Sequence, residues 1–457
     1  MTAIAELPGP PALPLVGHAH RLRPDRLHLM IEHWGRRYGP VFTFAAGRRR
    51  IVAFTEPEAI NAILRERPHG YRRWREIEQV FAALGITGVF AAEGEDWRRQ
   101  RRLAVTALNT NHLHRYFDVI HTSSERLLAR LERNPGTPRA IQDDFMAYTV
   151  DVTSALAFGQ DLNALGSDDD ALQRDIAEVF AMLSRRITAP FPYWRVAKPP
   201  ADRSGERSLA RLREAISGFI ADARERMAAR PELFETPENF LDSMLAAQRE
   251  GRYSDGEVVS NVFTMLLAGE DTTAHTLSWA TFLLARDKTA QARLAAEADR
   301  VLGDARTAQT AADAGAIQFG EAVMREALRL KSVAPLLLVE PIVDTTVAGV
   351  DLPAGTRVIA LTRQAAVPTG TARFDPDRWL DREGRDAKSF LPFGAGPRFC
   401  PGRNLAFLEG KAALAMLAHA FEVELAGADP RETYGFTMGP AGLRVTLRPR
   451  NLSGSQI

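Results

Sequence analysis

The sequence predicts a mainly α protein with a smaller β region, that is, an α+β fold. Helical periodicity dominates from about Trp97 to Leu330, whereas alternating, strand-like segments are confined to the two ends of the chain. Because the strands flank the helices in sequence, we expect the two sets to pair into one small sheet against a helical body. No internal repeat or long linker interrupts the chain, so residues 1–457 are predicted to form a single domain.

The predicted strands are short and bounded by turn-forming residues. In chain order they are Val41–Phe44, Arg50–Phe54, Leu336–Val339, Thr345–Val350, Arg357–Thr362 and Gly442–Arg448, with a turn at Pro353-Ala354-Gly355. A Pro-rich segment, residues 1–20, precedes the first of them. Within the helical region, the Pro- and Arg-rich stretch Ala189–Ser208 is expected to break the periodicity.

Composition and charge exclude several classes of protein. The 58 basic residues nearly balance the 57 acidic ones, so the net charge of +1 gives no reason to expect nucleic-acid binding. The proline-interrupted start contains neither a secretory signal nor the ~20 apolar residues of a membrane span. A single cysteine fits a reducing compartment. We therefore expect a cytoplasmic protein with no transmembrane segment.

The only cysteine, Cys400, lies in a loop rich in glycine and proline, residues 393–402. One thiol cannot form an intramolecular disulfide or a structural zinc site, but it can give one axial thiolate to a haem iron. The apolar spacing of Arg403–Ala420 predicts a helix, which places the sulfur at a helix N-terminus that favours a thiolate. Arg398 adds a cation two residues away. A buried structural cysteine is the alternative reading.

A second feature is a long helix predicted from about Glu257 to Arg286, with Ser254 and Glu257 as a capping box. It is apolar nearly all round, which indicates burial, and spans roughly 45 Å. Its middle nevertheless reads Ala268-Gly269-Glu270-Asp271-Thr272-Thr273. Buried acids and hydroxyls cost stability unless they are partnered or used, although a threonine can also bond back to its own helix. Gly269 would let a flat ligand approach the backbone.

The loop pattern Phe-x-x-Gly-x-Arg-x-Cys-x-Gly, residues 393–402, resembles the haem-binding loop of the cytochrome P-450 family, soluble bacterial type. The resemblance implies the cytochrome P-450 fold, with haem b held between the long central helix and the helix after the cysteine. Cys400 would be the axial ligand of the haem iron. Phe393 would pack beside the sulfur, and Arg398 would reach a haem propionate.

The central segment resembles the oxygen-activation motif of the same family. By that resemblance Thr272 would contact the bound dioxygen, Asp271 would open a proton route to it, and Ala268 and Gly269 would lie against the haem. Trp97 and Arg101 stand one helical turn apart, as do the family residues that hold a propionate. An ordinary amphipathic helix with a basic face is the alternative for that pair.

Glu326 and Arg329 stand three residues apart on one helix face, within ion-pair reach. The resemblance joins them to Arg378 in a buried network that supports the haem loop, which is a structural role. Taken alone, the same spacing also fits a surface ion pair of little energetic value.

Two departures from the family pattern concern the propionates. No basic residue stands near Glu340, where many relatives have one, and the chain reads Thr362-Arg363-Gln364 where many read His-Arg-Asp. Arg363 is a candidate substitute, but the sequence does not identify the residue that replaces the missing one.

The resemblance implies a monooxygenase that inserts one atom of dioxygen into an apolar small molecule by hydroxylation, epoxidation or dealkylation. Dinucleotide and phosphate loops are absent from the sequence and no flavin domain is fused. Electrons would therefore come from a separate ferredoxin or flavodoxin with its NAD(P)H-dependent reductase. The predicted docking face carries four basic residues, Arg98, Arg102, Arg403 and Lys411.

Two alternatives stay open: a peroxygenase or haem-thiolate isomerase, and a non-enzymatic haem sensor. The first branch generally lacks the acid–alcohol pair, and a sensor would not need an oxygen-activation helix. The segments expected to line the substrate pocket are mainly apolar. They are Phe81–Phe90, Phe263–Leu267, Ala334–Leu338 and Tyr434–Met438.

Overall fold

The computed structural model describes residues 2–47, 49–167, 171–189, 191–368, 370–381, 384 and 388–450. The α-helices within these residues are α1 Leu27–Tyr38, α2 Pro57–Arg65, α3 Arg75–Ala83, α4 Gly94–Ala107, α5 Thr110–Arg115, α6 Phe117–Leu131, α7 Ile141–Phe158, α8 Ala171–Thr188, α9 Pro200–Ala229, α10 Phe240–Arg249, α11 Asp255–Arg286, α12 Lys288–Leu302, α13 Ala311–Ala316, α14 Gln318–Leu330, α15 Thr362–Ala366 and α16 Arg403–Ala420. The strands are β1 Val41–Ala46, β2 Arg49–Phe54, β3 Tyr71–Arg73, β4 Leu337–Pro341, β5 Thr345–Val347, β6 Val350–Leu352, β7 Arg357–Ala360, β8 Phe421–Leu425, β9 Arg431–Tyr434, β10 Met438–Ala441 and β11 Val445–Pro449. The fold is mainly helical with a smaller β region, as predicted.

The largest sheet joins the two ends of the chain, with strand order β1-β2-β7-β4-β3. Its β2 and β7 run parallel, with Val52 opposite Val358, and the other pairs are antiparallel. The expected pairing between early and late strands is therefore confirmed. The last strand, β11, does not join this sheet but pairs with β8.

Two sequence expectations about local structure are wrong. Thr345–Val350 is not one strand, because Ala348 and Gly349 have φ angles of 48° and 77° and turn the chain into the hairpin of β5 and β6. The break expected over Ala189–Ser208 is shorter, since α9 begins at Pro200. Proline at the first helical turn is compatible with a helix because that residue needs no backbone donor.

Helix α11 forms the centre of the molecule. Ser254 and Glu257 form the capping box that the sequence predicts, and most of the helix is buried. A Cβ on Gly269 would come within 2.3 Å of the Thr153 hydroxyl on α7. The glycine therefore lets α7 and α11 approach closely. The sequence suggested a different reason for this glycine, namely room for a flat ligand.

Helix α16 begins and ends at the predicted residues and is buried along almost its whole length. It contacts α11 where the Thr273 hydroxyl hydrogen-bonds the carboxyl of Glu409. Cys400 stands just before the N-terminus of α16, some two turns ahead of that contact. Helices α11 and α16 thus pack against each other, and the cysteine loop leads directly into α16.

A buried carboxylate joins α14 to the segment that precedes the cysteine loop. The Nε and Nη2 atoms of Arg329 donate to Glu326 at 2.8 and 2.7 Å, and both side chains are buried. The indole of Trp379 and the backbone N–H of Asp375 donate to the same carboxylate at 2.8 and 3.0 Å. Arg378 adds an ion pair at 3.3 Å, although its side chain is 33% exposed. The alternative of a surface ion pair is thus wrong.

We expect Glu326→Ala to yield little folded protein, because it leaves Arg329 buried without its acid. Breaking a buried pair from one side costs ~3–5 kcal/mol, a large part of the ~5–15 kcal/mol that stabilises a domain. Soluble yield and the free energy of unfolding measure the effect. Asp377→Ala is the matched control. Asp377 lies in the same segment as Arg378, but its ion pair with Arg293 is exposed. Equal stability of both variants would contradict the buried role of Glu326.

Candidate active site

The loop before α16 is shaped by two glycines and closed by one backbone hydrogen bond. Gly394 and Gly396 have φ angles of 71° and 67°, which favour glycine. A Cβ on Gly396 would lie 2.5 Å from the carbonyl oxygen of Leu64, so only glycine fits against α2. The N–H of Cys400 donates to the carbonyl of Phe393 at 2.8 Å and folds the loop back on itself.

The thiol of Cys400 lies in a field of mixed sign. The backbone N–H groups of Gly402 and Arg403 hydrogen-bond the sulfur, and Arg101 lies close enough to favour the thiolate. Burial acts more strongly than these groups and raises the pKa of Cys400 overall. The preference for a thiolate expected from the sequence is therefore not achieved by the protein alone. A bound metal ion deprotonates a coordinating thiol outright.

Arg398 is not the cation that acts on the sulfur. Its side chain turns away to the carbonyl of Ala92 and the carboxylate of Glu93, and its guanidinium lies 4.6 Å from the ring centroid of Trp97. Arg101 instead donates to the carbonyl of Phe399 at 2.6 Å. Trp97 and Arg101 are thus both near the cysteine loop, but each contacts a different part of it.

Phe393 lies on the α16 side of the loop. Its ring centroid is 5.4 Å from that of Phe407, and the Arg403 guanidinium lies 6.0 Å from the Phe393 ring. The ring thus ties the start of the loop to the first turns of α16.

Helix α11 is open to solvent in only one place along its middle. From residue 260 to residue 285 every residue is buried except Ala268, Gly269 and Thr272. Ala268 and Thr272 are one turn apart, so they share one helix face. The Thr272 hydroxyl donates to the carbonyl of Ala268 at 2.9 Å, which is the back-bond that the sequence left open as an alternative. Its oxygen can still accept a hydrogen bond.

The two acids of the central segment are both buried. The Thr437 hydroxyl donates to Asp271 at 3.2 Å, and burial raises the pKa of Asp271. Burial also raises the pKa of Glu270 well above its ordinary value, and its two carboxyl oxygens have no partner among the described residues. Burial likewise raises the pKa of Glu409 to about 8. Burial thus disfavours the charged form of the Glu270 and Glu409 carboxyls.

A cluster of three cations, the buried Arg67 and the half-buried Arg73 and Arg398, surrounds the single carboxylate of Glu93. Burial and mutual repulsion lower the pKa of Arg67 and of Arg398 to about 10, and lower that of Arg73 as well. Two nitrogens of Arg67 and two of Arg398 are buried with no hydrogen-bond partner in the described structure. Because three guanidinium ions face one carboxylate, the cluster fits a ligand that carries two carboxylates.

Arg73 lies where the sequence lacks the basic residue expected near Glu340. It is on β3, directly opposite Val339 of β4. This short strand was missed in the sequence, because three residues of which two are arginine give no alternating pattern. Arg67 carried no sequence signal either, since only the folded chain brings it to Arg398.

Arg363 cannot serve as the substitute considered above. Its guanidinium donates to Glu32 at 2.8 and 2.7 Å and to Glu432 at 2.8 Å, and the residue is buried. The two carboxylates raise the pKa of Arg363, and each of its three guanidinium nitrogens already donates to one of them. This buried ion pair ties α1 and β9 to α15.

The predicted docking face needs one correction. Lys411 is buried, and its Nζ lies 3.3 Å from Glu321. Arg403 is half-buried, Arg98 pairs with Glu95, and Arg102 is exposed. The sequence predicted that Lys411 faces solvent, because the apolar pattern of a buried helix does not show which of its faces is exposed.

Aromatic rings from two of the four predicted pocket segments and from one further helix form a cluster. Phe436 lies 6.3 Å from Phe81, 5.6 Å from Phe90 and 5.0 Å from Phe180, measured between ring centroids. Phe263 of α11 is buried in the same hydrophobic core. Phe180 of α8 was not expected from the sequence, because an aromatic residue in an amphipathic helix is usually only a core residue.

The loop between α3 and α4 is held against α11. The N–H of Val89 donates to the side chain of Asn261 at 2.9 Å. A Cβ on Gly88 would lie 2.2 Å from the Thr264 hydroxyl, so the loop can approach this closely only with glycine there. Phe81 and Phe90 at its two ends therefore have fixed positions relative to α11.

Comparison with known proteins identifies the family. A family model described as Cytochrome P450 matches residues 7–447. The chain is 29% identical to cytochrome P450 2W1 of Homo sapiens, covering 97% of this chain and 93% of the relative. It is 29% identical to cyclooctatin synthase of Streptomyces melanosporofaciens (96% and 95%) and 28% identical to the chloroplastic protein LUTEIN DEFICIENT 5 of Arabidopsis thaliana (90% and 72%). The chain belongs to the cytochrome P450 family.

Membership of this family confirms the predicted class, fold and cofactor. Members bind haem b through a cysteine thiolate and act as monooxygenases on small molecules, using dioxygen and a redox partner. Cys400 is the one cysteine available for that role, and the arginine cluster suits the two propionates of this cofactor. Among the helices that the structure describes, none is both long and apolar enough to cross a bilayer.

Proposed function

We propose that this monooxygenase inserts oxygen into an apolar substrate, by hydroxylation, epoxidation or dealkylation. The observation that carries the proposal is the opening of the otherwise buried α11 at Ala268, Gly269 and Thr272, beside a buried acid. Turnover with reduced ferredoxin under ¹⁸O₂ tests it: one labelled atom should appear in the product and one in water. Product formed from peroxide alone, or no turnover at all, would favour the peroxygenase or sensor alternatives.

Haem b bound through Cys400 would supply the electron-rich iron that favours O–O cleavage over reversible oxygen binding. In this proposal Ala268 and Gly269 lie against the cofactor, and Phe393 packs beside the sulfur. Thr272 orients dioxygen through its hydroxyl, and Asp271 holds the proton to be delivered. Glu326, Arg329 and Arg378 support the loop from behind and take no part in the chemistry.

The propionates would be held by the arginine cluster of Arg67, Arg73 and Arg398, together with Trp97 and Arg101. The unpartnered nitrogens of Arg67 and Arg398 support this assignment. Arg67 and Arg73 would then replace the basic residue that many relatives carry near Glu340.

The aromatic cluster around Phe436 supports an apolar substrate, because Phe81, Phe90, Phe180 and Phe436 present apolar surface to one another. The Arg73 guanidinium lies 3.9 Å from the ring centroid of Phe90. We further propose that a separate ferredoxin or flavodoxin, with its NAD(P)H-dependent reductase, docks on the side of the cysteine loop. Arg102 is the exposed cation that could meet an acidic partner there. A single haem domain over residues 1–457 and a cytoplasmic location complete the proposal. The family match over most of the chain and the lone cysteine support them.

We expect Cys400→Ser to abolish the absorption band typical of thiolate ligation in the reduced carbon monoxide complex. Serine is nearly isosteric but is a much weaker ligand for haem iron. Absorption spectra of the reduced protein with carbon monoxide measure the change. An unaltered band in the variant would contradict the assignment of Cys400 as the axial ligand.

Thr272→Ala should leave haem binding intact but divert electrons from product to hydrogen peroxide. The loss of a positioned group for proton transfer typically costs a factor of ~10²–10⁴. Product formed per electron consumed is the quantity to measure. Thr276→Ala is the control, because that hydroxyl also bonds back to α11 but is buried. Unchanged coupling in Thr272→Ala would contradict the proposed role.

Arg67→Met should weaken haem binding without weakening the haem-free fold, since it removes an unpaired buried charge. A hydrogen bond to a charged group contributes ~1.5–3 kcal/mol, so haem should transfer to an acceptor apoprotein roughly 10–100 times faster. Arg65→Met is the control, because Arg65 is exposed on α2. Equal transfer rates for the two variants would show that Arg67 does not face the propionates.

A further inference from the structure

Beside Asp271, three parts of the chain bring polar side chains together. His275 follows Asp271 by one turn of α11 and so lies on the same face. The Thr437 hydroxyl, in the turn between β9 and β10, lies 3.2 Å from the Asp271 carboxylate and 3.1 Å from Nδ1 of His275. The Gln142 amide nitrogen, near the start of α7, lies 3.3 Å from Nε2 of His275. A continuous hydrogen-bonded chain therefore runs from Gln142 to Asp271.

The imidazole is held in one position by the backbone of β10. A Cβ on Gly439 would lie 2.7–2.9 Å from three atoms of the His275 ring. Gly439 is not among the glycines with positive φ, so its conformation does not require glycine. Any side chain at position 439 would displace the ring, and glycine there is explained by the space that His275 occupies.

The direction of this chain follows from its donors. The Gln142 amide nitrogen, which is the atom that faces Nε2, can only donate, and this leaves the hydrogen of a neutral ring on Nδ1. Nδ1 then donates to the Thr437 oxygen, and the Thr437 hydrogen is free to be donated to Asp271. Each atom in the chain has a partner, so the arrangement orients the carboxyl of Asp271 toward Thr437.

The charges around His275 are few. Asp271 is the one charged group that acts on its pKa among the described residues, while Gln142 from α7 and Thr437 and Gly439 from the β9–β10 hairpin are uncharged. Burial lowers the pKa of His275, and the Asp271 carboxylate raises it. In return, protonated His275 lowers the pKa of Asp271. The two groups titrate as a coupled pair.

We propose that His275 is a positioning residue for proton delivery, which acts through Thr437 on Asp271. The imidazole holds the Asp271 carboxyl toward the β9–β10 turn, whereas Thr272 faces the opening of α11. Protonation of the His275 imidazole controls the charge of the Asp271 carboxyl. The proposal rests on the proposed function. Monooxygenation consumes two protons and two electrons for each dioxygen, and the electrons come from the redox partner. Only the protons concern Asp271, and His275 is unchanged after each turnover.

A simple buried histidine with satisfied hydrogen bonds would also explain the contacts of one ring nitrogen. His121 is a half-buried histidine of this kind, whose Nδ1 lies 3.2 Å from the Thr307 hydroxyl and 3.1 Å from the carbonyl of Ala308 and whose Nε2 lies 3.6 Å from Glu125. The contacts of His121 do not include an acid of the oxygen-activation segment. His121→Gln is therefore the matched control for changes at position 275.

Coupled titration is tested in the reduced carbon monoxide complex of ¹⁵N-histidine-labelled protein. The His275 resonance is the one of ten that His275→Gln removes. We expect Asp271→Asn to lower the pKa of His275, because the carboxylate that raises it is lost. Asp271→Asn should leave the His121 resonance unchanged. An unchanged His275 titration in Asp271→Asn would overturn the proposal.

The effect on turnover separates charge from position. His275→Gln keeps an amide that can bond Thr437 but cannot be protonated, whereas His275→Phe loses both properties. We expect haem content to be unchanged in both, and coupling to fall about tenfold in the phenylalanine variant, less than the ~10²–10⁴ of a direct general acid. In the glutamine variant the alkaline limb of the coupling profile should move to higher pH, since the pKa of Asp271 rises without an imidazolium and the protonated carboxyl is the form that delivers the proton.

The two levels of the account can fail separately. If Thr272→Ala uncouples the enzyme while both His275 variants match His121→Gln in coupling and pH profile, only the positioning role is wrong. If Thr272→Ala does not uncouple it, the proposed oxygen activation itself is wrong.

Discussion

Helix α11 must be buried on every side, and this requirement governs the rest of the fold. A helix of some 48 Å with apolar residues all round is stable in water only when other elements cover it. Helix α7 covers one side closely because Gly269 has no side chain, and α16 covers another near Glu409. The loop after α3 and the β9–β10 hairpin close further sides. What remains accessible along the middle of the helix is one turn, from Ala268 to Thr272.

A second constraint is electrostatic, since the site contains ionisable groups that the protein alone does not satisfy. Among the described residues, Arg67 and Arg398 keep buried nitrogens without partners, and burial raises the pKa of the Glu270 carboxyl and of the Cys400 thiol. Each of these costs stability in a folded chain without a ligand. A cofactor that brings a metal ion to the sulfur and two carboxylates to the arginines would offset the costs at Cys400 and at the two arginines. Folding and cofactor binding should therefore be strongly linked.

The sequence predicts those features that are local. Helices α11 and α16 follow from apolar patterns within a single segment, and the cysteine loop is one contiguous motif. The strand at Tyr71–Arg73 was missed because its pairing with β4 comes from residues far away in sequence. The expectation for Gly269 was the approach of a flat ligand, whereas the space beside it is taken by Thr153 of α7, whose position the sequence does not show.

The same limit applies to charged groups, whose partners are set by tertiary structure. Arg363 reads as a propionate ligand in sequence, yet Glu32 and Glu432 occupy its guanidinium from opposite ends of the chain. His275 gives no signal beyond its place after the motif, since Gln142 and Thr437 reach it only in the folded protein. Ionisable residues at such a site can be named from sequence, but their partners cannot.

The central claim is that haem iron holds Cys400 as a thiolate in a place where the protein alone favours the thiol. X-ray absorption at the iron edge of the purified holoprotein, recorded from neutral pH down to about pH 6, tests this claim most directly. One sulfur ligand should persist across the range, because coordination keeps the thiol deprotonated whatever its pKa in the haem-free chain. Loss of the sulfur ligand as the pH falls, while the protein stays folded, would contradict the account.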